Sequence, residues 1–214
     1  MTEEIQKLLP LIQSGELSKE ELDELEGRVR SFIKSDPDSG KTLGPVMSMI
    51  SQARKKADIR IDINWVPVHK GFLAIGHKPG GRISFEGLKQ TGTTAVITLL
   101  HENEGALQIG HQLEKQKIIW KWFPFSASSP HSGNQVDQVY DLFSSSEQLL
   151  AEGARIYIHC SAGIHRTGMI SYGLLRYLGY PEAEALQKLR SLREVTAEQV
   201  GSERLQWANQ FFRR

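Results

Sequence analysis

Apolar residues recur at three- and four-residue spacing over the first quarter of the chain. Leu22, Leu25, Val29, Phe32 and Ile33 fall on one face of a helix that Ser18-Lys19-Glu20-Glu21 opens as a capping box. A shorter helix from about Thr2 to Ser14 precedes it, with Gly15 as its C-terminal cap. After the turn-forming run Ser35-Asp36-Pro37-Asp38-Ser39-Gly40, a third helix runs through Val46, Met49, Ile50 and Ala53 and ends in Arg54-Lys55-Lys56. Residues 1–57 therefore read as a helical N-terminal extension, either a cap packed on the next domain or a dimerisation or partner-docking module.

From about Ala57 the period shortens. Ile59, Ile61 and Ile63 alternate with polar residues, and Phe72–Ile75, Ala95–Leu100, Ile118–Trp120 and Ile156–Ile158 are short apolar runs bounded by Gly, Pro or charge, as strands are. Helical patterns lie between and after them: Ser84 to Gln90, Glu104 to Glu114, Asn134 to Glu152, Thr167 to Leu178, Glu182 to Arg193 and Ser202 to Phe212. This alternation predicts an α/β domain over 58–214, a central, mostly parallel sheet flanked by helices, with a helical layer at the C-terminal end.

Composition narrows the function classes. With 39% hydrophobic and 24% charged residues, the 214-residue chain can build a sizeable core, which excludes global disorder. Lys and Arg number 26 against 25 Asp and Glu, a net charge of +1, so neither nucleic acid nor a membrane surface is expected as a partner. Cys160 is the only cysteine. It excludes an intramolecular disulfide and a Cys-based zinc site and suggests a reducing, cytoplasmic setting; no metal or cofactor is expected. The start MTEEIQKLLPLIQ is acidic and broken by Pro10, unlike a signal peptide, and no run of about 18 apolar residues is present. The sequence does not fix an oligomeric state.

The chemistry is concentrated in His159-Cys160-Ser161-Ala162-Gly163-Ile164-His165-Arg166-Thr167. The segment leaves a predicted strand and enters a predicted helix, so the N–H groups of a tight loop and the positive end of the helix converge on one point, the setting of an anion site. Gly163 permits a backbone angle or a close approach that a side chain forbids. The same field lowers the pKa of a thiol toward a thiolate nucleophile. Six positions on, Arg166 can return across the loop and clamp two oxygens with its planar fork. Thr167 can donate its hydroxyl to the sulfur. His159 is read as orienting the loop; His165 either contacts substrate or faces solvent.

These residues resemble the active-site loop of the cysteine-dependent protein tyrosine phosphatases, whose pattern is His-Cys, five residues, Arg and Ser or Thr, with Gly at the third residue after Cys. Gly71–Gly76 and Val96–Leu100 are similar to the first strands of the small dual-specificity and kinase-associated branch. The resemblance spans about Ile59 to Arg214. It implies a dual-specificity-phosphatase-like fold, Cys160 and Arg166 as catalytic residues, Ser161, Ala162, Gly163, Ile164, His165 and Arg166 as the phosphate cradle, and His159 and Thr167 in support. The substrate would be a phosphorylated protein or another phosphate ester.

The family pattern also implies an Asp that protonates the leaving oxygen, on the loop Phe123-Pro124-Phe125-Ser126-Ala127-Ser128-Ser129-Pro130. That loop has none, and neither does any position between Asp62 and Asp137. A tyrosine leaves with a pKa of about 10, so a proton donor is worth about 10²- to 10⁴-fold to it, whereas a phosphate leaving from an anhydride, with a second pKa of about 6, needs far less help. Three readings stay open: a substitute acid, with His131, Glu102 and Glu104 as candidates; a phosphoanhydride substrate such as an RNA 5′-triphosphate; or a low-turnover phosphate-binding pseudophosphatase. The turn Gly76-His77-Lys78-Pro79-Gly80-Gly81-Arg82 is either a solvated connection or part of the pocket mouth.

Overall fold

Leu22, Leu25 and Val29, spaced to share one helix face, are buried against Leu43, Val46, Ile50 and Ala53. They lie on helices α1 (Lys19–Ser35) and α2 (Gly40–Ala57), with Ile12, from a helical segment over 8–12, completing the cluster. Glu26 is buried in this unit and is paired with Arg30 one turn on, Nη2 to Oε1 2.6 Å. The computed structural model describes residues 8–12, 17, 19–36, 39–57, 63–81, 83–126 and 133–211. The ends of the expected helix from Thr2 to Ser14, and the Ser18 cap, lie outside the described residues. The chain divides into two compact units, Met1–Arg60 and Ile61–Arg214.

The second unit is built on five strands: β1 (Val66–Val68), β2 (Gly71–Gly76), β3 (Ala95–Thr98), β4 (Ile119–Trp122) and β5 (Arg155–His159). Their order is β1-β2-β5-β3-β4, with β1 antiparallel to β2 and every other pair parallel. Each parallel step is carried by a crossover, through α3 (Phe85–Gln90), α4 (Ala106–Lys115) and α5 (Gly133–Ala151). After β5 come α6 (His165–Tyr177), α7 (Glu182–Leu192), α8 (Glu194–Gln199) and α9 (Ser202–Phe211). The central strand β5 is buried from Ile156 to His159, as an interior parallel strand requires, and one core joins it to Phe143 and Leu150 of α5, Ile170 and Leu174 of α6 and Trp207 of α9. The expected α/β architecture, with helices around a mostly parallel sheet and a helical C-terminal run, is the observed one.

Register places the functional end of this sheet. Gly76 of β2 and Thr98 of β3 both pair with His159 of β5, so three strands finish level and the loop after β5 emerges between the loops after β2 and β3. A crevice at the carboxyl ends of parallel strands is where open α/β sheets bind ligands.

Some elements differ from the sequence reading. Ile63 lies in irregular chain, Ile59 and Ile61 lie outside the described residues, and the first strand is Val66-Pro67-Val68. Pro67 is tolerated there because β1 is an edge strand. The helix expected from Glu104 to Glu114 is α4, which begins at Ala106 after a 3₁₀ turn, Glu102–Glu104, and Gly105 at φ 90°. The helix expected to reach Arg193 ends at Leu192, and Arg193 is extended, φ −167° and ψ 112°, before α8. Phe123 and Phe125 are core residues, whereas Trp122 is 38% exposed on edge strand β4.

Gly110 of α4 faces the ring of Trp120, and a Cβ there would overlap the indole. Trp120 cannot swing aside without losing the bond from Nε1 to Thr98 Oγ1, 3.0 Å. Gly110→Ala is therefore expected to destabilise the fold by about 1–3 kcal/mol, although Ala is the better helix former by about 1 kcal/mol. Urea unfolding measures the difference, and a stabilised variant would contradict the packing described.

Candidate active site

Residues Cys160–Ile164 form the loop between β5 and α6. Gly163 has φ +70°, and a Cβ on it would overlap the carbonyl of Gly76 at the end of β2. No side chain fits at this turn, which runs directly against the neighbouring strand. Helix α6 starts without a side-chain cap, so its first N–H groups are free to face the loop interior.

Cys160 stands at the centre, 4% exposed. Burial alone would push its thiol up, but the Thr167 hydroxyl and the N–H groups of Thr167, Gly163 and Ile164 hydrogen-bond toward the sulfur and bring it below the ordinary thiol value. Thr167 Oγ1 is buried and has no hydrogen bond of full geometry. Its hydroxyl contributes to the lowering together with the loop N–H groups without making a full hydrogen bond.

Arg166, in the first turn of α6, is fixed by a two-pronged pair with Glu104: Nη1 to Oε2 and Nη2 to Oε1, both 2.7 Å. Nη1 also donates to Leu99 O, 3.2 Å. The Arg166 guanidinium bonds hold the Glu104 carboxyl down at about 2, against an opposing contribution from burial, and the His101 N–H at 2.9 Å adds to the lowering. Glu104 in turn raises Arg166, so both stay charged.

His159 is fully buried, and burial pushes it down to about 4, leaving it neutral at physiological pH. Its tautomer is set by its partners. Nδ1 is 3.0 Å from Cys160 O, which only accepts, so Nδ1 carries the proton; Nε2 then accepts from Thr98 Oγ1 at 2.9 Å, and Thr98 in turn accepts from Trp120 Nε1. The remaining loop carbonyls also have donors. Lys78 N–H reaches Ser161 O at 3.2 Å, Arg193 Nη1 reaches Ala162 O at 2.9 Å and Gly163 O at 3.0 Å, and Thr196 Oγ1 reaches Gly163 O at 2.7 Å. Gly168 N–H closes on Ile164 O at 2.7 Å.

Of the residues singled out in the sequence, Gly163, Ile164, Arg166 and Thr167 come together around the Cys160 sulfur, and His159 lies behind it against the Cys160 carbonyl. Ser161, Ala162 and His165 are exposed or lie at the rim of the same loop. Glu104 meets Arg166 rather than standing free, and a carboxyl held at about 2 has no proton to give at neutral pH. Glu102 is exposed, and His131 lies outside the described residues. The sequence reading missed Thr98, Trp120, Arg193 and Thr196. No local pattern marks them, because each acts across 30 residues or more or through such a residue.

The Arg166–Glu104 pair carries a pH signature. A depressed carboxylate stabilises the fold above its unfolded pKa and ceases to do so as pH falls through its folded value. The deficit of Glu104→Gln, about 1–2 kcal/mol at neutral pH, is expected to be full above the ordinary value of 4.5 and to close as pH falls toward about 2. Urea unfolding of both proteins across that range checks it; a deficit independent of pH would remove the ion pair from its assigned place.

Comparison with solved structures places the same fold in other proteins. Kinase associated phosphatase with its catalytic-site cysteine substituted by serine is 18% identical, covering 70% of this chain and 92% of that one, with a TM-score of 0.60. PTPMT1 is 15% identical over 69% of this chain and 94% of its own, TM-score 0.54, and Tk-PTP in its active form 21% identical over 71% and 97%, TM-score 0.53. Comparison with curated proteins gives no significant match. The tyrosine phosphatase family profile matches residues 91–199, which contain the whole Cys160 loop, α6 and α7 together with Arg193 and Thr196. That match covers just over half of the sequence, and the chain belongs to the tyrosine phosphatase family.

Proposed function

We propose that this family member hydrolyses phosphomonoesters, phosphotyrosine and phosphoserine or phosphothreonine on proteins, through a cysteinyl-phosphate. The observation that carries the reading is the environment of the chain's only sulfur nucleophile, a buried Cys160 faced by three N–H groups and the Thr167 hydroxyl, beside a guanidinium locked by Glu104.

In the first step the Cys160 thiolate attacks phosphorus in line, the S–P bond forms, and the P–O bond to the alcohol or phenol breaks with its electron pair on the leaving oxygen. The loop N–H groups and the Arg166 fork stabilise the transferring phosphoryl group through positions fixed in advance, which is where such sites gain most of their rate. In the second step water attacks phosphorus, its proton passes to solvent, and the S–P bond breaks to return a thiolate. Thr167 then supplies the donor that the departing sulfur needs. His159 stays neutral and holds the Cys160 carbonyl. No step requires a metal ion.

A second reading is favoured by one observation. The interval between Asp62 and Asp137 has no Asp, and Glu104, an otherwise suitable carboxyl, is committed to Arg166. A substrate whose leaving group is already a weak base, such as a phosphoanhydride end, suits a site whose Glu104 is committed to Arg166. A PTPMT1 structure of this fold holds PI(5)P, at 13% identity and a TM-score of 0.53, which adds a phosphoinositide to the substrates worth testing.

The test is purified protein, with EDTA, against a phosphotyrosine peptide, a phosphoserine peptide, PI(5)P and a 5′-triphosphorylated RNA. Turnover of a monoester that Cys160→Ser lowers by about 10³-fold or more, and Arg166→Lys by about 10²- to 10³-fold, is expected. Turnover confined to the triphosphate selects the anhydride reading, and binding without turnover the pseudophosphatase one. Activity that survives Cys160→Ser would falsify the mechanism. Across a series of aryl phosphates, the rate of cysteinyl-phosphate formation should fall steeply with leaving-group pKa; a shallow dependence would reveal a donor such as His131 at work.

A further inference from the structure

Each N–H group belongs to the same planar unit as the carbonyl of the preceding residue. The two loop N–H groups from Gly163 and Ile164 that face the Cys160 sulfur therefore carry, on their far ends, Ala162 O and Gly163 O. Both of those carbonyl oxygens are held by one nitrogen, Arg193 Nη1, at 2.9 and 3.0 Å. Its other terminal nitrogen, Nη2, is 3.0 Å from His77 Nε2, which must accept because a guanidinium only donates. Thr196, three residues on, donates to Gly163 O at 2.7 Å and lies 3.4 Å from Arg193 Nη1. The loop after β2, the loop after β5 and the junction of α7 and α8 are thus tied together by one side chain.

We propose that Arg193 is a positioning residue for phosphoryl transfer, gripping the outer ends of the two peptide units whose inner ends face the Cys160 sulfur. The inference rests on reading that loop as the phosphate cradle. The geometry gives the grip two effects. It fixes the direction of the Gly163 and Ile164 N–H groups, where a displacement of about 1 Å costs on the order of 10²-fold in rate. A cation on a carbonyl oxygen also polarises its peptide unit and strengthens the N–H at the opposite end. The task suits arginine. Its fork spans the loop and His77 at once, whereas an ammonium is a single point of charge. The chain delivers it at a helix break: Arg193 is extended, and Thr196 N–H closes the next turn on Arg193 O at 3.1 Å.

Because Cys160 is the only thiol, its alkylation by iodoacetamide as a function of pH reports the ionisation of this sulfur alone and needs no substrate. Arg193→Met is expected to move the alkylation midpoint up by roughly 0.5–1 pH unit and to lower kcat on an aryl phosphate by about 10- to 10²-fold, with a smaller change in KM. Arg193→Lys should recover only part of each, and Thr196→Val should shift the midpoint the same way by less. Arg190→Met, which removes an exposed charge from the same helix end, is the control and should change neither. A folded Arg193→Met with the wild-type midpoint overturns the proposal, as does an equal shift in Arg190→Met, which would make the effect a diffuse field. If Arg193→Met does not fold, an unshifted Thr196→Val overturns it instead. A wild-type protein that turns over no phosphate ester, yet whose midpoint moves with Arg193, would sink the phosphatase reading and leave the brace standing.

Discussion

The site depends on one constraint of the peptide unit: a loop that turns its N–H groups toward an anion turns its carbonyls away from it, and each of those carbonyls must find a donor. Between Cys160 and Ile164 every one does. Cys160 O takes His159 Nδ1, Ser161 O takes the Lys78 N–H, Ala162 O takes Arg193, Gly163 O takes Arg193 and Thr196, and Ile164 O takes the Gly168 N–H. The donors come from β5 itself, the loop after β2, the α7–α8 junction and α6. Level strand ends are what bring these elements together: because Gly76, Thr98 and His159 pair in one row, the loops after β2 and β5 leave the sheet side by side.

A second chain of bonds works inward from the sheet edge. Trp120 donates to Thr98, Thr98 to His159, and His159 to the Cys160 carbonyl, crossing β4, β3 and β5 in turn. Each link sets the proton position of the next. An indole only donates, so Thr98 must accept from it and give its own proton to Nε2; the imidazole is left with its proton on Nδ1. Burial keeps the ring neutral, so it adds no positive charge to that of Arg166. Packing against Gly110 of α4 holds the indole in place at the head of this chain of bonds.

Legibility in the sequence tracks the range of the interaction. The loop from His159 to Thr167 is a local object: strand, tight turn with Gly163, helix start and fork-bearing Arg166 lie within nine residues, so residue types and spacing suffice. Strands β2, β3 and β5 are legible because strands buried on both faces are continuous apolar runs. Strand β1 is not, since Pro67 argues against a strand unless it is known to lie at an edge. The anchors of the loop are hidden for a different reason. Thr98 and His159 are 61 positions apart, Arg193 and Gly163 30, and a hydroxyl or guanidinium carries no mark of a partner that distant.

Glu104 shows how far residue type alone can mislead. A carboxyl near the end of β3, in a chain without the expected Asp, is a natural candidate for a proton donor. Its two short bonds to Arg166 give it the opposite character: a permanently ionised anchor whose value lies in refusing a proton. The two roles exclude each other, because a donor poised near neutrality would leave Arg166 half the time without its counterion and free to leave its place beside the Cys160 loop. On the reading proposed above, committing Glu104 to Arg166 leaves a basic leaving group without help from that carboxyl. Glu104 acts on the site by holding the Arg166 guanidinium still.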